Sequence, residues 1–114
     1  MSNRIQRVNQ LIKIEVGQLI LKELEFPKDV LVTVTRAETS PDLSKSRVFV
    51  SIIPEQKGKE VISLLERKSY FLQQKINKRL RMRIVPKIEF TNEEKTKEAA
   101  RIEEILEKLK KEGE

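Results

Sequence analysis

The sequence contains no cysteine, no histidine and no tryptophan. Without cysteine there is no disulfide framework and no thiolate nucleophile, which fits a reducing compartment. Histidine is the one side chain whose ordinary pKa lies near neutrality, so its absence removes most general-base and zinc chemistry. Aspartate is confined to Asp29 and Asp42. Asp42 stands in Ser40-Pro41-Asp42, where an aspartate bonds its own backbone in a turn. The only glycines are Gly17, Gly58 and Gly113, which leaves no glycine-rich phosphate loop. No apolar run approaches the roughly 20 residues of a membrane helix, and no apolar segment follows Met1 to Arg7 to make a secretory signal. These absences argue against catalysis, against a bound metal or cofactor and against a membrane role, and they favour a cytoplasmic protein.

What the chain has is charge. Of 114 residues, 24 are Lys or Arg and 18 are Asp or Glu, a net charge of +6. The 38% of hydrophobic residues suffice for one core and not for two, so a single domain is expected. A positive balance of this size favours polyanionic partners: RNA, DNA or an anionic membrane face. A membrane-surface helix would carry exposed Trp or Phe, and aromatics are only 4% of the chain, which leaves nucleic acid.

Periodicity supplies the architecture. Ile5, Val8, Ile12, Val16, Leu19 and Ile20 recur at three- and four-residue steps and predict an amphipathic helix over 3–24, ended by Phe26 and Pro27. Val30 to Ala37 is β-branched and alternating, as is Arg47 to Ile53, and the short loop between them predicts an antiparallel hairpin. Phe49 falls on the face opposite Val48, Val50 and Ile52 and is read, with Phe90, as a packing residue. Val61, Leu64 and Leu65 mark a short helix, and Phe71, Leu72, Ile76 and Leu80 a second. Ile84 to Phe90 predicts a third strand, with Pro86 implying an edge position or a bulge. Thr91 and Glu94 have the spacing of a capping box that opens a last helix over 93–111. The expected fold is α+β, in the order αββααβ, with a three-stranded sheet packed by helices and an appended C-terminal helix. Residues 1–92 form the main body and 93–114 the last helix of the same domain.

The basic residues are not spread evenly. Arg67, Lys68, Lys75, Lys78, Arg79, Arg81, Arg83 and Lys87 occur with no Asp or Glu between them, whereas a merely solvated face mixes the signs. On a helix reaching Leu80, Lys68, Lys75, Lys78 and Arg79 project opposite Leu72, Ile76 and Leu80, and Arg81 and Arg83 flank Met82 just before the third strand. Arg4, Arg7 and Lys13 precede the first acid of the first helix, Glu15, and extend the same surface. Apart from Arg67, which opens the segment, these ten residues are the candidate RNA-binding set. With few aromatics free for stacking, contact with the backbone of structured RNA is the expected mode. A generic single-strand binder and a module that recognises an acidic protein remain alternatives.

The αββααβ order is that of a type II KH domain, and over nearly its whole length the chain resembles the ribosome-binding factor A family. The resemblance is carried by Arg4-Ile5-Gln6-Arg7-Val8, Ser40-Pro41-Asp42-Leu43, Val48-Phe49-Val50-Ser51 and Arg79-Leu80-Arg81-Met82-Arg83-Ile84-Val85-Pro86 with Phe90. It implies a monomeric cytoplasmic factor that binds the free small (30S) ribosomal subunit and its 16S rRNA. It further implies a role in late maturation and 5′-end processing of that rRNA, a link to growth in the cold, and other assembly factors as further partners. The family is KH-like without the GxxG loop, and this chain has none either. The chain departs from the family where an Ala-x-Gly kink joins the two central helices: here the residues are Lys68-Ser69-Tyr70, with Gln73 where arginine is common. The kink is expected to be held by Ser69 side-chain bonding or by packing of Tyr70, or to be shallower.

Overall fold

The computed structural model describes residues 2–94 together with Ile105. Helix α1 spans Ser2–Glu23, strands β1 and β2 span Leu31–Thr39 and Lys45–Ile53, and a 3-10 turn at Glu55–Lys57 leads into α2 at Gly58–Arg67. Helix α3 follows at Ser69–Arg79 and strand β3 at Lys87–Asn92. The sheet order is β1-β2-β3; β1 and β2 run antiparallel, and β3 joins β2 in parallel. This is the expected αββααβ arrangement, with β1 and β3 as its edges.

One sheet face and three helices make the core. The α1 stripe Val8, Ile12, Val16, Leu19 and Ile20 is buried as its period requires. It meets Val32 and Val34 of β1, Val48, Val50 and Ile52 of β2, and Leu72 and Ile76 of α3 in one cluster. Gly58 opens α2 close to the end of β3: a Cβ at this position would come 2.7 Å from Asn92 Nδ2, so a larger residue would require the Asn92 side chain to shift.

Besides shifts of one or two residues at the ends of β1 and β2, three features differ from the sequence reading. Strand β3 begins at Lys87 rather than Ile84, because Pro86 has no N–H for a ladder, and Ile84 points to solvent. Its edge position is as Pro86 implied. In β1 the register slips between Val34 and Arg36, and this bulge moves the buried face from the even positions to Ala37 and Thr39. After β3 the N-terminal cap is Asn92, whose Oδ1 accepts from Glu94 N–H at 2.9 Å, instead of Thr91, which is still in the strand. Apart from Ile105, the rest of the expected helix over 93–111, on which the sequence also predicts an apolar stripe of Ala99, Ile102, Leu106 and Leu109, lies outside the described residues.

The hairpin end is tied to the first half of α1. Asn9 Oδ1 accepts from Thr39 N–H at 2.8 Å, and the buried Thr39 hydroxyl donates to Ser46 Oγ at 3.1 Å. The turn is organised by Asp42, whose Oδ1 accepts from Ser40 Oγ (2.7 Å), Ser44 N–H (3.0 Å) and Ser44 Oγ (2.7 Å). Those bonds favour the charged form and lower the Asp42 pKa to about 2. They also hold Leu43 at φ 62, a left-handed conformation unusual for a bulky residue, while its side chain packs against the core.

Candidate nucleic-acid interface

Four hydrogen bonds from two side chains fix how α3 is presented. Gln73 lies on the side of α3 that meets the outer edge of β3. Its Oε1 accepts from Ile88 N–H at 2.9 Å and its Nε2 donates to Pro86 O at 3.1 Å, with a further bond to Asn77 Oδ1 at 3.0 Å. A primary amide supplies both a donor and an acceptor, so it mimics one step of a missing strand. An arginine here would have no acceptor for Ile88 N–H. On the opposite side of α3, Arg79 donates to Glu15 and, through Nη2, to Gln18 Oε1 at 2.7 Å. Gln73 ties α3 to the sheet and Arg79 ties it to α1.

The break between α2 and α3 is a backbone feature. Lys68 sits at φ −95, ψ 6, in the bridge region that L-residues other than glycine also adopt. Hydrogen bonds continue through it, from Lys68 N–H to Leu64 O at 3.1 Å and from Leu72 N–H to Lys68 O at 2.9 Å. No side-chain cap holds the junction and Tyr70 is exposed, so neither of the two expected supports, Ser69 bonding or Tyr70 packing, is the one used. Glycine is unnecessary because the break asks for no positive φ.

The ten candidate cations, with Arg67 beside them, fall into distinct places. Lys75 and Lys78 project from the outer face of α3, and Arg67 and Lys68 stand exposed at its start. Arg81 and Arg83 are exposed on either side of Met82, which packs against the core. The loop carrying them ends beside the hairpin turn, where Lys87 N–H donates to Ser44 O at 3.0 Å. Arg4 and Arg7 are exposed on the first turns of α1, the half that Asn9 fastens to the same hairpin end. None of these eight forms an ion pair among the described residues.

The remaining candidates do not join them. Arg79 is the half-buried clamp just described, its guanidinium occupied by Glu15 and Gln18. Lys13 is half-buried on the other flank of α1, lining a groove with Gly17, Thr33 and Val34 of the β1 side. Lys87 is also unpaired, but Ile88 faces the core, so alternation along β3 turns Lys87 to the open face of the sheet, beside its register partner Lys45.

That open face carries cations the sequence reading did not single out. Lys45 lies 3.9 Å from Glu89. Arg36 donates to Glu93 at 3.2 Å, pairs with Glu38, and stacks 3.7 Å over the ring of Phe49. Phe49 is buried on that face, as a packing residue should be. Lys59 was also missed: with Ile62 and Ser63 of α2 and Phe90 to Asn92 of β3 it lines a groove of about 400 Å³. The α2 period already marked Lys59 and Ser63 as neighbours on one helix flank, but only the parallel pairing of β3 shows that this flank borders a strand edge.

Comparison with known proteins agrees with this geometry. A family model described as ribosome-binding factor A matches residues 4–106. The chain is 34% identical over 111 residues to ribosome-binding factor A of Thermodesulfovibrio yellowstonii, covering 97% of this chain and 94% of that protein. It is 33% identical over 107 residues to the Bdellovibrio bacteriovorus protein of the same name, covering 93% and 80%. Among solved structures, the crystal structure of ribosome-binding factor A from Thermus thermophilus superposes with a TM-score of 0.67 at 25% identity, covering 77% of this chain and 94% of that one. A homology model of the Thermus thermophilus factor, fitted into a cryo-EM map of a 30S complex, gives a TM-score of 0.62 at 29% identity and covers 73% and 88%.

Proposed function

This chain belongs to the ribosome-binding factor A family, and from that premise we propose that it binds the free small ribosomal subunit and its 16S rRNA, assisting late maturation and 5′-end processing. The observation that carries this reading is the set of exposed cations along α3 and the loop after it, continued by Arg4 and Arg7 on α1, that form no ion pair among the described residues. Each such side chain has no carboxylate to give up before meeting a phosphate, and its contact releases a counterion from the RNA. The fitted 30S complex of the Thermus thermophilus relative supports the same partner. Arg79 serves in this reading as a positioning residue that holds α3 against α1. The role is one of binding, in keeping with a sequence that has no cysteine or histidine.

Sedimentation of the full chain with free small subunits and with assembled ribosomes, over a range of salt, tests the reading. Co-migration with the free subunit alone is expected. If about four side chains reach phosphates, affinity falls with a log–log salt slope of roughly −3. Association that persists unchanged at high salt, or that is equal for assembled ribosomes, would overturn it.

A further inference from the structure

The break at Lys68 is followed at once by two aromatic rings that the core does not take. Tyr70 is 77% exposed and Phe71 41%. The chain has one tyrosine and four phenylalanines, and the other three, Phe26, Phe49 and Phe90, are buried or packed against the core. Two adjacent rings in water at one end of a helix are therefore an exception to the way this chain uses aromatics. Their surroundings are cationic. Arg67 and Lys68 are exposed and without ion pairs among the described residues, and Lys75 Nζ lies 5.6 Å from the centre of the Phe71 ring. Successive helix residues point about 100° apart, so the rings diverge: Phe71 lies with Lys75 and Lys78, and Tyr70 toward Gln74 and Asn77.

We propose that Tyr70 is a stacking platform for an unpaired nucleobase, with the flanking phosphates held by Arg67 and Lys68 and with Phe71 as a second, Lys75-covered surface. The inference rests on the rRNA-binding reading above and deepens it by naming the substrate class: a single-stranded, unstacked nucleotide in place of a duplex backbone. Every base presents a π-face to a flat ring, while its phosphates require cations a few ångströms away, and here ring and cations occupy neighbouring positions. A base inside a duplex has no free π-face and gains nothing from Tyr70. The phenolic hydroxyl keeps the outer end of the ring compatible with water when RNA is absent.

Tyr70 also reports on itself. With no tryptophan and a single tyrosine in the chain, intrinsic tyrosine emission arises from this residue alone. The test titrates the full chain with a short unstructured oligouridylate and, separately, with an RNA duplex of matched charge. Saturable quenching by the oligouridylate and little change with the duplex are expected. Tyr70→Ala should weaken oligouridylate binding roughly ten-fold or more and Tyr70→Phe only slightly, because stacking needs the ring and not the hydroxyl. Duplex affinity should be the same in all three proteins. Unchanged emission at oligouridylate concentrations well above those at which small subunits bind would overturn the proposal, as would equal oligouridylate affinity of Tyr70→Ala and the parent. Sedimentation of Tyr70→Ala with small subunits separates the two levels. Retained salt-sensitive binding with no quenching in the parent removes the stacking site and leaves the rRNA reading intact, whereas failure of the parent to bind subunits at all removes both.

Discussion

On the open face of the sheet, Arg36 and Lys45 are held by Glu38, Glu93 and Glu89; on the helical side, Lys75, Lys78, Arg81 and Arg83 have no acid partner among the described residues. Both regions are rich in cations, and a tally of charge would not separate them. The difference lies in what a polyanion must displace. A cation already paired must exchange one carboxylate for a phosphate, with little net gain, whereas an unpaired one releases only mobile ions and frees those condensed on the RNA. The sheet face uses its charges for cohesion, most clearly where Arg36 closes over Phe49 between Glu38 and Glu93. The helical side leaves its charges unspent.

The most severe way to break this contrast is to reverse charge on one side and then on the other. Lys78→Glu, Arg81→Glu and Arg83→Glu combined should weaken small-subunit binding on the order of 100-fold or more at moderate salt. Lys45→Glu with Arg36→Gln on the sheet face should change it by no more than about three-fold, because those cations are already held by carboxylates and contribute few phosphate contacts. Sedimentation or filter binding at fixed salt reads both. Next in size is the anchor that presents α3. Gln73→Arg deprives Ile88 N–H of its acceptor, and it should cost about 1–2 kcal/mol of stability in urea denaturation.

Arg79 sharpens the contrast from inside the acid-free segment. It belongs by sequence with the unpaired cations and by structure with the paired ones. Arg79→Ala should therefore cost about 1 kcal/mol of stability through the lost bonds to Glu15 and Gln18, while Lys75→Ala and Lys78→Ala should stay within about 0.5 kcal/mol of the parent. The smallest effect concerns Asp42, the acid at the hairpin turn. Its pKa is about 2 in the folded chain against an ordinary 3.8, so between those values the unfolded chain binds more protons. The Asp42 contribution to stability is thus complete above the unfolded pKa and is lost as pH falls through the folded one. Denaturation midpoints of Asp42→Asn should lack that component of the acid-side decline.

Much of this molecule was legible in its sequence, and the parts that were not share a cause. The α1 stripe from Val8 to Ile20 and the alternation of Val48, Val50 and Ile52 are local patterns, and they gave the elements and the αββααβ order directly. The bulge at Arg36 and the late start of β3 were hidden, because the apolar Ile84 and Val85 resemble strand residues and only the ladder shows that Lys87 is the first to pair. The candidate site was legible as a stretch free of acids, but pairing is a tertiary property. The acid that occupies Arg79 lies 64 residues away, and the strand alternation that sends Lys87 to the other face of the sheet depends on where β3 begins. Lys13 was misplaced for a similar reason: which flank of α1 faces β1 is decided by packing at Gly17 and Val34, not by the order of charges along the helix. Tyr70 was visible as an aromatic, yet its exposure follows from a break at Lys68 that needed no glycine.

The most direct test of the contrast between the two faces is the salt dependence of small-subunit affinity for three proteins: the parent, the variant reversed at Lys78, Arg81 and Arg83, and the variant changed at the paired Arg36 and Lys45. A log–log slope of roughly −3 for the parent and the sheet-face variant, and a slope shallower by about two to three for the helical variant, is the expected result. Equal loss of slope in both variants would contradict it, since it would mean that pairing with carboxylates does not decide which cations meet the RNA.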